Sequence, residues 1–257
     1  EFPHVPSRVI HDTRSVGLNP KVDNLANLAR HARGDVLLVS DSNVRVPAHY
    51  LSELSAHLEA GGVGLVTSPI RARPNGSFGA ALESLQLNGF VMGGVAALSL
   101  WFGTPCVVGK SMLVRRSTLD RLGGFRFLGR FLAEDQVCGE EVARLGLSIA
   151  ISPLPVDNVL ARLSLRDFGA RHLRWARIRR WVCPAGYAGE LVLNPVALAA
   201  AGVAVAPSAQ AAGLLGLAVS VRALCDALSE RRRGVRRAWH FYPALTLVKD
   251  LTVGALW

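Results

Sequence analysis

Asp35-Val-Leu-Leu-Val-Ser-Asp41-Ser-Asn43 is the stretch that decides the fold. Four apolar residues bounded by acids are too short for a buried helix and read as a core strand, expected here to lie in a parallel sheet. Working outward, residues 48–60 have a helical pattern that Gly61-Gly62 stops, and Val63 to Ile70 is a second apolar strand. Pro105 to Val114 and Leu147 to Val156 read as a third and a fourth strand. Helical stretches at about 79–101 and 133–145 lie between them. This alternation predicts an α/β sheet. In such sheets ligands gather at the carboxyl ends of strands, where Asp41 stands.

Residues 164–182 form a basic helix that Pro184 and Gly186 end, and the character then changes. Leu191 to Ala206 is apolar and free of charge, Pro207-Ser-Ala-Gln210 reads as a turn, and Ala211 to Val221 is apolar again. Each arm is shorter than the ~20 residues of a straight membrane span. Extended by flanking residues, the pair predicts a membrane hairpin over 191–228, with the basic run Glu230 to Arg237 on the cytoplasmic side. A buried hairpin in a soluble core is the alternative.

The chain has 257 residues, half of them hydrophobic, and a net charge of +10. It opens on Glu1 in loop-like sequence and ends inside an apolar run, the pattern expected of a piece cut at both ends. Four well-separated cysteines, with no CxxC pair, argue against a zinc site or a disulfide framework and for a reducing, cytoplasmic setting. Basic clusters at Arg171 to Arg180 and Arg231 to Arg237 suit nucleic acid, anionic lipid or phosphate-bearing substrates alike.

Several residues carry possible chemistry. Asp41 either caps a turn or helps hold a hard divalent cation that neutralises a diphosphate. Glu134-Asp135 opens a helix, so either acid serves the helix dipole or acts as a general base. Arg171, Arg174 and Trp175 share a helical face, where arginine's planar fork suits a diphosphate and a solvated basic face is the plainer account. That plainer account, a face lying on lipid headgroups, is expected to hold for Arg177, Arg179 and Arg180. Gly109-Lys110-Ser111 has the ending of a P-loop, but Thr104 stands where its first glycine belongs, so a P-loop is rejected.

The order Gly17-Leu-Asn-Pro-Lys21-Val-Asp-Asn-Leu25, Asp41-Ser-Asn-Val-Arg-Val46, Gly109-Lys-Ser-Met-Leu113, Ala133-Glu-Asp135 and Arg171-His-Leu-Arg-Trp175 closely resembles ceramide glucosyltransferases and their bacterial relatives. The resemblance covers nearly the whole chain. It implies a GT-A, Rossmann-like fold over 1–187 and a membrane-associated helical region over 188–257. It implies an inverting transfer of a hexose, glucose by analogy, from a UDP-sugar to the hydroxyl of a membrane lipid such as ceramide or diacylglycerol. The expected cofactor is Mg or Mn, with Asp41 as its protein ligand, and Asp135 is the expected base. Lys21, Arg171, Arg174 and Trp175 would meet donor and acceptor. The apolar stretch Phe90 to Phe102 and the hairpin would give the lipid a route to the site.

Two departures stand out. The family's uridine-binding front strand would precede residue 1, and Asn43 replaces the second acid of a DxD motif, leaving water and donor phosphates to complete the cation's shell. The setting implied is a membrane, the bacterial inner membrane with the catalytic face cytoplasmic, and no nucleic acid. A processive polysaccharide synthase and a non-catalytic basic module are the rival readings.

Overall fold

A computed structural model describes residues 4, 6–104 and 106–257. Of the predicted loop at 1–6 and the strand predicted from 105, residues 1–3, 5 and 105 lie outside the described residues. The chain divides into two compact units. The first comprises residues 1–41, 47–68 and 105–154, and the second 42–46, 69–104 and 155–257.

The first unit holds helix α1 (Pro20–His31), strand β1 (Val36–Ser40), α2 (Tyr50–Glu59), β3 (Val63–Thr67), β5 (Ser111–Arg115), α5 (Arg116–Arg121), α6 (Gly124–Leu128), α7 (Glu134–Arg144) and β6 (Ser148–Ile151). Its four-stranded sheet has the order β1-β5-β3-β6. β5 runs antiparallel to both β1 and β3, and only the β3–β6 pair is parallel. The parallel setting expected for β1 is therefore corrected. β1 sits at one end of the sheet and buries alternate residues, Leu37 and Val39, while Val36 and Leu38 stay 39% and 37% exposed. An apolar run hides this alternation, because both faces of β1 carry aliphatic side chains. Leu37, Val39, Leu65, Met112 and Val114 pack with Val22 of α1 and with Cys138 and Val142 of α7 in one core.

The second unit holds β2 (Val44–Arg45), β4 (Ile70–Arg73), α3 (Phe78–Leu85), α4 (Met92–Phe102), β7 (Val156–Val159), α8 (Leu165–Val182), α9 (Pro184–Val192), α10 (Pro195–Val205), α11 (Ala209–Arg232) and α12 (Tyr242–Leu256). Its small sheet has the order β2-β7-β4. Two strands predicted as single runs are thus split. Ser68-Pro69 divides the second into β3 and β4, and Pro153 and Pro155 divide the fourth into β6 and β7. Proline lacks the N–H a continuing ladder needs.

α3 continues through a π-helical turn, Gln86–Val91, into α4. The joined helix Phe78–Phe102 has 25 residues and is long and apolar enough to cross a membrane, as is α11 with 24. α9 and α10, bent by 63°, pass the same test only as a pair. The hairpin's second arm, expected to reach residue 228, runs to Arg232. Its charged residues find partners on neighbouring helices, so they do not end the helix. Arg222 Nε is 3.1 Å from Asp250 and Lys249 Nζ 2.8 Å from Asp226, while Glu230 accepts from Ser84 and Tyr242.

Candidate active site

Antiparallel pairing sets the start of β5 beside the end of β1, with Ser40 opposite Ser111. The loop before β5 therefore runs past Asp41, whose N–H donates to the Lys110 carbonyl at 3.2 Å. Half of the strand predicted from residue 105 is this loop. Thr67, at the end of β3, fixes it by accepting from the Val108 N–H at 3.0 Å and donating to the Val108 carbonyl at 3.1 Å.

Five side chains converge there. Lys110 Nζ is 2.7 Å from one Asp41 oxygen, and Lys21 Nζ is 3.6 Å from the other. Lys21 also lies 2.9 Å from Glu134 and donates to the Gly109 carbonyl at 3.0 Å. Asn19 caps α1, accepting from the Lys21 N–H, and its amide donates to Glu134 at 2.9 Å and to the Phe131 carbonyl. Gly17 carries the chain against Gly129, where a Cβ would collide with the Gly129 carbonyl. The Gly17-to-Lys21 stretch is thereby pinned to the segment leading into α7.

Glu134 and Asp135 both stand in the first turn of α7, but their surroundings differ. Glu134 is buried, its two oxygens taken by Asn19 and Lys21. Asp135 is held by backbone: it accepts from the Gly109 N–H and the Gln136 N–H, both at 2.9 Å. Only glycine fits at 109, since a Cβ would strike the Asp135 carboxylate. Burial, and after it the charge of Glu134, raises the Asp135 carboxyl above its ordinary value despite those amides and Lys21. Burial alone would lower the Lys21 ammonium; Glu134, with Asp41 and Asp135 behind it, outweighs this and holds it above the usual lysine value. A raised carboxyl beside fixed ammonium groups can take a proton from a hydroxyl and steady a departing anion.

Among the described residues no group of three His, Cys, Asp or Glu side chains is placed to hold a metal ion. Hard cations want six or more oxygens, and here the protein offers Asp41, both of whose oxygens face ammonium groups. The set fits a divalent cation only when donor phosphates and water supply the rest and Lys110 gives up Asp41.

The profile of glycosyl transferase family 21 matches residues 1–257, the whole chain. The chain belongs to glycosyl transferase family 21. Among relatives of this family 21 protein, "Ceramide glucosyltransferase 3" of Caenorhabditis elegans is 28% identical over 185 residues, covering 72% of this chain and 40% of the relative. "Ceramide glucosyltransferase 1" of the same organism is 27% identical over the same span. "Ceramide glucosyltransferase" of Komagataella phaffii is 29% identical over 244 residues, covering 70% of this chain and 46% of the relative. The chain thus spans under half the length of these curated relatives.

The remaining site candidates of this family 21 chain belong to the second unit. α8 begins with a capping box, Ser164 with Asp167, and buries Phe168, His172 and Ala176 four residues apart. Arg171 lies 3.3 Å and His172 2.9 Å from Glu83 of α3, which is fully buried. Trp175 meets the His172 ring edge-on at 5.1 Å. Arg174 is exposed and makes no ion pair among the described residues. The structure therefore gathers Lys21, Asp41 and Asp135 in the first unit and Arg171, Arg174 and Trp175 on one helix of the second.

Arg179, expected to face lipid headgroups, is ion-paired with Glu190 on α9, its Nη2 donating to one carboxylate oxygen at 3.0 Å. Sequence reading missed Asn19, Lys110 and Glu83. Lys110 has a visible signal in the Gly109-Lys-Ser-Met-Leu113 motif, to which the sequence attaches no role for the lysine.

Proposed function

We propose that this chain belongs to an inverting glycosyltransferase of GT-A organisation. It transfers a hexose, glucose by the names its relatives carry, from a UDP-sugar to a hydroxyl of a membrane lipid such as ceramide or diacylglycerol. The observation that carries the reading is the seat of Asp135. Its carboxylate is raised by burial and fixed by two backbone amides, one of them on the loop that brings Lys110 to Asp41.

In the proposed reaction the acceptor oxygen attacks the anomeric carbon from the face opposite the nucleotide. The hydroxyl proton passes to Asp135. The bond to the nucleoside diphosphate breaks, and that group leaves with the electron pair. Lys21 and Lys110 neutralise the departing charge. Arg174, and Arg171 if it leaves Glu83, are proposed as diphosphate ligands, and Trp175 as an acceptor contact. A divalent cation, held by Asp41 with the donor's own phosphates, would supply further neutralisation when bound; full transfer in excess chelator removes it from the proposal.

The two helices long enough to span a bilayer support a membrane setting, proposed as the bacterial inner membrane with the catalytic face in the cytoplasm. Apolar residues of the first of these helices, Leu100, Trp101 and Phe102, are exposed and give the lipid acceptor an apolar approach. Lipid extracts of cells expressing the full-length protein test the reading. A new hexosyl lipid that disappears with Asp135→Asn is expected; a soluble polymer, or no product from donor and lipid, would overturn it.

A further inference from the structure

The C-terminal end of α11 carries positive charge that the chain does not balance. A cavity of about 340 Å³ opens there, lined by Arg73, Pro74, Gly76, Gly234, Val235, Arg236 and Arg237. Its walls are built. Arg73 bonds Asp157 at 3.0 Å and donates to the Arg233 carbonyl at 3.2 Å. Gly234 has φ +78°, and a Cβ there would lie 3.3 Å from the Arg73 guanidinium. Arg237 Nε lies 3.4 Å from the buried Glu230.

The two carboxylates at hand are both shared, Asp157 between Arg71 and Arg73, and Glu230 with Ser84, Tyr242 and Arg237. Arg232 and Arg236 are exposed and make no ion pair among the described residues. Burial, and after it the charge of Arg232, pushes the Arg233 guanidinium below its usual value.

The surroundings identify the missing anion. The cavity lies at the end of a helix long and apolar enough to cross a bilayer. Just beyond it Trp239 and Phe241 are 46% and 53% exposed, with Arg231 stacked 4.2 Å over the Trp239 ring. Exposed aromatics beside a basic run mark the headgroup level of a membrane.

We propose that the cavity between Arg73 and the Gly234–Arg237 turn binds the headgroup phosphate of an anionic phospholipid. The arginines take the phosphate oxygens, and Trp239 and Phe241 lie along the upper acyl chain. The site rests on the membrane part of the proposed function, not on sugar transfer, so its test needs no catalysis.

The test is native mass spectrometry of the full-length protein released from bilayers of equal phosphatidylglycerol and phosphatidylcholine. Phosphatidylglycerol should be retained preferentially, and millimolar inorganic phosphate or UDP should not displace it. Arg236→Gln should lower its retention about 5-fold, and Arg232→Gln with Arg236→Gln further, since each arginine near an anionic surface contributes a similar factor. Both residues are exposed, so neither change threatens the fold, and Arg121→Gln, an exposed charge of the first unit, should change nothing. Equal retention of the two lipids, displacement by free phosphate or UDP, or indifference to both arginine changes would overturn the site. A protein that retains the lipid yet transfers no sugar would overturn the enzymatic reading and leave this one standing.

Discussion

Each unit sets one carboxylate between two basic side chains, and the two carboxylates are buried very differently. In the first unit Asp41 stands between Lys21 and Lys110 with 28% of its side chain exposed. In the second, Glu83 stands between Arg171 and His172 with none exposed. Water screens the first set, so its members can exchange one partner for a ligand at little cost. In the second set Glu83 and His172 are buried where α3 meets α8 and only Arg171 reaches solvent, so removing the carboxylate leaves the buried imidazole without its partner. Charge pattern alone does not separate a binding group from a structural one; burial does.

Four substitutions probe that contrast. Glu83→Ala should have the largest effect on stability, ~1–3 kcal/mol, because the buried His172 loses its hydrogen-bond partner and Arg171 its carboxylate. Thermal unfolding of the full-length protein in bilayers is the check, and an unchanged midpoint would mean the pocket relaxes or hydrates. Lys110→Ala should leave that midpoint within ~1 kcal/mol, the worth of an exposed pair, yet cut transfer by ~10–100-fold through lost charge stabilisation. A stability loss matching that of Glu83→Ala would put the two sets in one class. The smallest effect separates Arg174 from Arg177, both exposed on α8. Arg174→Lys should cost ~10-fold in kcat/KM, because lysine lacks the bidentate fork, whereas Arg177→Lys should be neutral. Equal small losses would return the whole face to solvent. Arg179 is unsuited as a neutral control, since it is paired with Glu190.

What the sequence made legible was local. The apolar run ending in Asp41, the acids opening α7 and the basic helix that Pro184 and Gly186 end all depend on residues close to one another in sequence. What escaped it was set by strand pairing and helix packing across long separations. Lys110 reaches Asp41 because β5 is antiparallel to β1, a direction that an aliphatic strand does not encode. Glu83 reads as one polar residue in an apolar helix until α8 is packed on α3. The roles of Arg222, Asp226 and Glu230 within α11 escaped it for the same reason, since their partners lie on other helices.

The central claim is that Asp135, and not Glu134, accepts the acceptor's proton. A base works deprotonated, so transfer must rise with pH through the Asp135 value. That value is raised by burial and by Glu134, so the acid limb should lie above the ~3.9 of an ordinary aspartate. The measurement is kcat/KM for glycolipid formation against pH, for the full-length parent, Asp135→Asn and Glu134→Gln at matched membrane abundance. The parent should show that limb. Asp135→Asn should lose it and run at least ~100-fold slower at the plateau. Glu134→Gln should lose less and keep a limb shifted toward acid, because the charge that raises Asp135 is gone. Near-parental turnover by Asp135→Asn, with the acid limb intact, would contradict the assignment.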